Sequence, residues 1–279
     1  MDTETAYNAA LDYIYSFVDY SLSRNFRYAP EKFDLGRMRL FMEALGQPQQ
    51  SYPSIHIAGT KGKGSVAAMC ASVLRAQGYR VGMYTSPHLH DFAERILLDG
   101  QPIPHADLAA LVDEIKPVVA SIPNLTTFEI TTALAFLYYA RKKVEAAVIE
   151  VGLGGRLDAT NVIVPVVSTI TSLSFDHMNV LGDTLAAIAG EKAGIIKEGV
   201  PVVLAPQREE ARLVVARVAT EKHAPLIQLG KDYFYADVSH SLESQTVQVP
   251  HHTVTYSSMK PGYRAITATC SFFFRASSV

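Results

Sequence analysis

A glycine-rich segment with two lysines, GTKGKGS at residues 59–65, is the part of the sequence best suited to chemistry. Glycines let the chain turn with positive φ and let backbone N–H groups approach phosphates closely. Lys63 can reach the β- and γ-phosphates of a nucleotide, and a hydroxyl beside it can support a metal ion. The segment predicts a phosphate-binding loop (P-loop) formed by Gly59, Thr60, Lys61, Gly62, Lys63, Gly64 and Ser65.

This loop departs twice from the usual pattern G-x-x-x-x-G-K-[ST]. Ile57 stands where the first glycine belongs, and Gly64 separates Lys63 from Ser65. An ordinary glycine turn is therefore the alternative interpretation. The flanking sequence favours the phosphate loop, because a β-branched run precedes it and a helical pattern follows it, as the motif requires.

Glu150 is the second candidate, since it ends the apolar run AAVIE at 146–150. Ligands of parallel α/β sheets bind beyond the carboxyl ends of the strands, where this residue is expected to lie. A carboxylate there supplies the hard oxygen that Mg²⁺ prefers. A buried ion pair is the alternative.

Alternating helices and strands must position these residues. Apolar spacing predicts helices over 34–45, 65–77, 106–116, 128–142, 184–196 and 208–223. Short apolar runs predict strands over 54–58, 80–84, 146–151, 166–173, 200–205 and 225–229. The order predicts an α/β fold with a doubly wound, mostly parallel sheet, followed after about residue 230 by short β-hairpins.

Composition limits the function classes. With 279 residues, 48% of them hydrophobic, the chain can bury a large core. A net charge of −2 and no basic run argue against nucleic-acid binding, and no apolar stretch is long enough for a membrane helix. Two cysteines and no signal-peptide pattern indicate the cytoplasm. We expect a monomer with small-molecule partners.

Five segments in order resemble the folylpolyglutamate synthase and dihydrofolate synthase family of amide-forming ligases. They are HIAGTKGKGSV (56–66), YTSPHLHDFAERI (84–96), TFEITTALAF (127–136), VIEVGLGGRLDATN (148–161) and SFDHMNVLGDTLAAIAGEKAGIIK (174–197). The resemblance implies that ATP and Mg²⁺ are used to join L-glutamate to folate or dihydropteroate through an acyl phosphate. A muramoyl-type ligase is the alternative, and the segments at 127–136 and 148–161 argue against it.

The resemblance also implies roles for single residues. It assigns metal binding to Ser86, Glu150 and His177, and carbamylation to Lys192. Without it, Lys192 is predicted to be a surface lysine on an amphipathic helix, Ser86 could cap a turn, and a lone histidine is more often structural. The acceptor substrate is expected to contact Phe128, Glu129, Leu157, Asp158 and Ala159, although Phe128 could equally be core.

The end of the chain departs from the family pattern. Relatives carry an adenine-contacting helix and a second, smaller α/β domain, for which we find no match. We divide the chain into an ATP-binding domain at 1–250 and an atypical tail at 251–279, which contains the apolar run SFFF. The expectation is a truncated or frameshifted form with weak ATP binding and little ligation. An inactive nucleotide-binding remnant is the corresponding alternative.

Overall fold

The computed structural model describes residues 2–18, 35–176, 182–234, 236–240, 244–249 and 252–257, with the backbone alone from residue 237 onward. Helices within these ranges are α1 (Thr3–Tyr15), α2 (Leu35–Ala44), α3 (Lys63–Ala76), α4 (His105–Ser121), α5 (Thr127–Arg141), α6 (Leu185–Ala193) and α7 (Glu209–Glu221). Strands are β1 (Ser54–Ala58), β2 (Val81–Tyr84), β3 (Ile96–Leu98), β4 (Gln101–Pro102), β5 (Ala146–Glu150), β6 (Val167–Ile170), β7 (Val202–Leu204), β8 (Leu226–Gln228), β9 (Ala236–His240), β10 (Ser244–Val249) and β11 (His252–Ser257).

An eight-stranded, mostly parallel sheet forms the centre, in the order β4-β3-β2-β5-β1-β6-β7-β8. Strand β1 pairs in parallel with β5 on one side and β6 on the other. All five residues of β1 are buried, as expected of a central strand covered on both faces. The carboxyl ends of β1, β5 and β6 therefore lie side by side.

Helices cover both faces of the sheet, which confirms the doubly wound prediction. On one face α3 packs against Ile55, Ile57 and Val148. On the other face, α4 and α5 cover the β2–β5 half, while α6 and α7 cover β6 and β7. Helix α5 is buried almost all round, from Ile130 to Tyr139, which explains its weakly amphipathic sequence.

Helix α1 and strands β3 and β4 were not predicted from the sequence. Helix α1 buries Tyr7 and Ile14 and is capped by Asp2, whose side chain accepts from the N–H of Thr5 at 3.0 Å. Strands β3 and β4 add an antiparallel edge next to β2. The hydroxyl of Thr127 donates to the carbonyls of Ile14 and Phe17, each at 3.1 Å, so α1 supports the start of α5.

The predicted hairpins form a separate antiparallel sheet in the order β11-β10-β9. Its strands run from residue 236 to residue 257, on both sides of residue 250. The division into 1–250 and 251–279 stays a prediction, and the SFFF run at 271–274 lies outside the described residues. None of the described helices has the length and apolarity needed to cross a membrane.

Candidate functional site

The glycine loop between β1 and α3 is fastened to the segment that follows β6. The N–H groups of Thr60 and Lys61 donate to the carbonyl oxygen of Ser172, at 2.9 and 3.2 Å. The hydroxyl of Thr171 donates to the carbonyl of Lys61 at 2.8 Å. These bonds fix the loop before any ligand arrives, with the N-terminus of α3 at its end.

Two glycines of the loop are required by its shape. A Cβ added at Gly59 would overlap the hydroxyl of Thr171, and the φ of Gly59 is 154°. Gly62 precedes α3 with a φ of 85°, a left-handed conformation that glycine adopts without strain. The first N–H groups of a helix lack partners within the helix, so this strand, loop and helix form a suitable anion site.

Lys63 and Glu150 face each other across this loop. The Lys63 Nζ lies 3.8 Å from Oε1 of Glu150. A Cβ on Gly64 would lie 3.4 Å from Oε2 of the same carboxylate, at the near limit of ordinary van der Waals contact. The glycine after the lysine therefore lies directly beside the acid at the end of β5.

Glu150 and Ser86 are brought together, although they lie on different loops. The N–H of Ser86 donates to Oε2 of Glu150 at 3.2 Å. Burial raises the pKa of the Glu150 carboxyl to about 7, while the Lys63 ammonium and the Ser86 N–H act in the opposite direction. The carboxylate and the nearby serine hydroxyl are hard oxygen donors of the kind that suits Mg²⁺.

The third predicted metal ligand, His177, lies outside the described residues. In the part of the chain that the structure describes, no three His, Cys, Asp or Glu side chains are grouped to hold a metal. Among the described residues, Glu150 and Ser86 could hold Mg²⁺, an ion that commonly takes further ligands from the nucleotide or water.

Lys192 is not a surface lysine, so the prediction from its helix pattern was wrong. It is only 5% exposed, and its Nζ donates to the carbonyl of Gly59 at 2.9 Å. Burial, and secondly the charge of Lys63, lower the pKa of Lys192 to about 8, while Asp176 and Asp158 act in the opposite direction. Helical periodicity missed this because α6 packs its polar side against the glycine loop.

The loop after β5 sets the position of α6 and of Lys192. A Cβ on Gly155 would lie 2.7 Å from the carbonyl oxygen of Glu191, so only glycine permits this approach. The N–H of Arg156 donates to the same carbonyl at 2.8 Å, and its guanidinium pairs with the Glu191 carboxylate. This close contact places the end of α6 beside the glycine loop.

Phe128 lies at the start of α5 and packs directly on the loop after β5. A Cβ on Gly152 would lie 2.5 Å from its ring. The ring of Tyr84 is 6.1 Å away, tilted by 42°. Phe128 is only partly buried, whereas Tyr84 is fully buried, so Phe128 is the accessible part of an aromatic wall that Tyr84 and the Gly152 backbone support.

The two acids predicted at the acceptor site already have internal partners. Glu129 accepts from the N–H of Thr126 at 2.8 Å, in a capping box, and pairs with Arg37 at 3.4 Å. Asp158 accepts from the N–H of Leu153 at 2.9 Å and from Thr160. Both residues therefore hold the local backbone in place.

The neighbouring positions of the predicted acceptor segment differ in exposure. Leu157 is partly buried, and Ala159 is buried at 6% exposure in the core beneath the loop. Ala159 belongs to the core cluster against which Phe128 packs.

Gln207, after β7, was missed by the sequence interpretation. Its side chain accepts from the N–H of Leu173 at 3.0 Å and donates to the carbonyl of Thr171 at 2.8 Å. Gln207 therefore fixes the segment 171–173, and residues 171 and 172 of this segment bind the glycine loop. A glutamine 34 residues away along the chain gives no signal of this contact in spacing or composition.

Comparisons with known proteins agree with this geometry. The family model of the Mur ligase middle domain matches residues 57–267. A dihydrofolate synthase/folylpolyglutamate synthase of Bacillus subtilis is 46% identical over 222 residues, which cover 76% of this chain and 51% of that protein. The chain thus spans about half the length of this curated relative.

Solved structures give the same picture. A Mycobacterium tuberculosis folylpolyglutamate synthase complexed with ADP superposes with a TM-score of 0.79 at 37% identity, covering 89% of this chain and 55% of that one. A folylpolyglutamate synthase complex with AMPPCP and folate gives 0.78 at 39% identity, covering 88% and 60%.

Proposed function

The chain belongs to the Mur ligase middle-domain family, in its folylpolyglutamate synthase and dihydrofolate synthase branch, and from this we propose that it serves ATP-dependent ligation of L-glutamate to a folate. The observation that supports this most is the convergence of Lys63 and Lys192 on one glycine loop, beside an aromatic wall. Relatives with ADP, or with AMPPCP and folate, bind the two ligand classes that this arrangement suits.

The proposed chemistry is acyl activation. The γ-phosphoryl group of ATP passes to the acceptor carboxylate, ADP leaves, and the glutamate amine then displaces phosphate to form the amide. The carboxylate is already ionised at neutral pH, so the first step needs positioning and positive charge more than a base. Lys63 and the N–H groups at the start of α3 supply that charge on the ATP phosphates.

We assign Mg²⁺ binding to Glu150 and Ser86, with His177 as a third ligand by resemblance. When bound, the ion would neutralise charge on the phosphates beside Lys63. The free Glu150 carboxyl has a raised pKa, and a nearby cation favours its ionised form.

Lys192 is proposed to be carbamylated. Its neutral Nζ would add to CO₂ and lose a proton, which replaces a buried cation by an anionic oxygen donor. Its pKa of about 8 supplies the neutral amine near physiological pH. Its bond to the Gly59 carbonyl keeps the group at the phosphate end of the site.

The acceptor substrate is proposed to lie against Phe128, Leu157 and Ala159. Glu129 and Asp158 would hold the backbone beside these residues in place. A flat pterin ring can stack on the accessible side of Phe128. Folate and dihydropteroate share that ring, so both are acceptor candidates. We further propose a cytoplasmic monomer; a chain with two cysteines and the bacterial relative agree with the cytoplasm.

ADP formation by the 279-residue chain tests the proposal. Mg-ATP, glutamate and either a reduced folate or dihydropteroate are supplied, with Lys63→Ala as the control. Acceptor-dependent ADP release that disappears in Lys63→Ala supports the ligase. ATP binding that depends on Lys63 without turnover would instead favour an inactive nucleotide-binding remnant, and turnover with a UDP-linked muramoyl acceptor would favour that ligase type.

A further inference from the structure

A buried histidine in the central strand connects the two halves of the site. His56 lies in the middle of β1, is fully buried, and faces away from α3. Its Nε2 lies 2.9 Å from the hydroxyl oxygen of Thr160. Thr160 follows the loop after β5, so this contact joins the strand that leads into the glycine loop to the loop beside Phe128.

The direction of the hydrogen bonds follows from the partners. The Thr160 hydroxyl donates to Oδ1 of Asp158, whose pKa burial raises and whose hydrogen bonds from Thr160 and from backbone N–H groups act in the opposite direction. The same hydroxyl must then accept from His56, whose Nε2 carries the proton. Burial, and secondly the charge of Lys197, lower the pKa of His56 to about 3, so the ring is neutral. Within the described residues, its Nδ1 has no hydrogen-bond partner.

Asp158 connects the Thr160 hydroxyl to the rest of the loop 153–160. Its other oxygen, Oδ2, accepts from the N–H of Leu153 at 2.9 Å, and Oδ1 also accepts from the N–H of Thr160 at 3.0 Å. One carboxylate thus closes the loop from residue 153 to residue 160. That loop carries Gly155, which contacts α6, and follows Gly152, which lies under Phe128.

We propose that His56 is a positioning residue, which holds the loop 153–160 against β1 by donating a hydrogen bond to Thr160. The role rests on the proposed ligase function, because the loop 153–160 is proposed to contact the acceptor substrate. This bond requires a proton on the side-chain atom that faces the Thr160 hydroxyl. An apolar side chain at residue 56 would leave the Thr160 hydroxyl without its donor and remove the link between β1 and the loop.

A merely structural core histidine is the competing interpretation. It would act by filling space, so a leucine of similar size would replace it with a general change in stability only. The proposal instead requires an effect concentrated on the loop 153–160. It also requires rescue by glutamine, whose amide N–H₂ reaches about as far as Nε2 of the ring.

The test compares His56→Leu with His56→Gln, using amide hydrogen exchange of the full chain and the KM values for acceptor and ATP. In His56→Leu we expect about tenfold faster exchange at the amides of Leu153 and Thr160, the size of one lost hydrogen bond. The acceptor KM should rise by a similar factor of about ten while the ATP KM stays within about twofold. His56→Gln should restore most of both.

Two further variants keep the test decisive. Thr160→Val leaves His56 in place and removes the hydroxyl, and it should reproduce the loop-specific exchange. Ser168→Ala is the matched control, because Ser168 is a buried hydroxyl on β6 that donates to Ile195 at 3.1 Å, outside the chain of bonds. It should leave the exchange of the loop unchanged.

The proposal fails if His56→Leu and His56→Gln behave alike, or if exchange increases evenly across the sheet. It also fails if the exchange at Leu153 and Thr160 is unchanged in His56→Leu. Exchange needs no turnover, so it decides the role of His56 in the loop even if the chain ligates nothing. Absence of turnover in the unmodified chain would count against the proposed function alone.

Discussion

The ammonium group of Lys192 donates a hydrogen bond of 2.9 Å to the carbonyl oxygen of Gly59, across 133 residues of sequence. A lysine of α6 buried against the glycine loop is unusual, because burial disfavours its charge.

Carbamylation of Lys192 should be visible directly. With a pKa of about 8, roughly 10% of Lys192 is neutral at pH 7 and roughly 90% at pH 9. We expect a carbamate signal by ¹³C NMR in ¹³C-bicarbonate buffer, increasing over this range. Lys192→Met should abolish it and lower ligation at least about a hundredfold, the loss of one strong electrostatic contact.

Lys197 offers a matched control. Burial also lowers its pKa to about 8, but its Nζ donates to the Asn161 carbonyl and not to the glycine loop. Lys197→Met should keep the signal assigned to Lys192. A signal that persists in Lys192→Met would contradict the assignment.

Glu150 should make the ligand-free protein less stable as the pH rises. Its pKa increases from 4.5 to about 7 on folding. The folded state therefore binds more protons than the unfolded state between these values, and the free energy of unfolding falls through that window. The free energy of unfolding of Glu150→Gln should exceed that of the unmodified chain by on the order of 2 kcal/mol at pH 8. At pH 4.5 the two free energies of unfolding should be nearly equal.

Urea unfolding without nucleotide or metal at several pH values measures this difference. Glu221→Gln serves as control, since the side chain of Glu221 is 62% exposed and pairs with Arg217 on the same helix. The same Glu150→Gln variant should lose the stabilisation that Mg-ATP gives. A difference independent of pH would disprove the raised pKa.

Gly59→Ala should damage both the loop and the fold. Its Cβ would overlap the Thr171 hydroxyl, which itself holds the Lys61 carbonyl. We expect a loss of about 3 kcal/mol in the free energy of unfolding, together with loss of ATP binding. Gly46 has a φ of 79°, and a Cβ added there would have nothing within 4 Å. Gly46→Ala should therefore lower the free energy of unfolding by only about 1 kcal/mol. Equal losses in the two variants would argue against the Thr171 contact.

Phe128→Leu should weaken binding of the acceptor substrate and leave binding of ATP unchanged. An aromatic stacking contact contributes about 1 kcal/mol, so the acceptor KM should rise roughly fivefold with an unchanged ATP KM. Phe136→Leu, in the fully buried part of the same helix, should reduce stability without this KM change. If both KM values changed together, Phe128 would be core and not a binding residue.

Much of the fold was predictable from the sequence. The periodic helices and β-branched runs gave α3, α5, β1 and β5 to within about two residues, because these elements are long or fully buried. Helix α1 and the β3–β4 edge were missed. The edge strands are three and two residues long, too short for an alternating pattern to appear.

The site was predictable in its motifs but not in its contacts. Lys63 and Glu150 follow from strand ends and glycine spacing, and the structure brings them to 3.8 Å. The burial of Lys192 depends on how α6 meets a loop 133 residues earlier, which no local pattern encodes. The bonds of Glu129 to Thr126 and of Asp158 to Leu153 and Thr160 are local, whereas the ion pair between Glu129 and Arg37 joins distant segments.

The strand order has a consequence for how the protein is made. Strand β1, which leads into the glycine loop, finds its neighbours only in β5 and β6, and the loop is fastened by residues 171 and 172. During synthesis the phosphate site therefore cannot close when its own motif leaves the ribosome, and about a hundred more residues must first emerge. Until then an apolar strand and its helix are exposed, so this interval is when the nascent chain depends most on protection from aggregation.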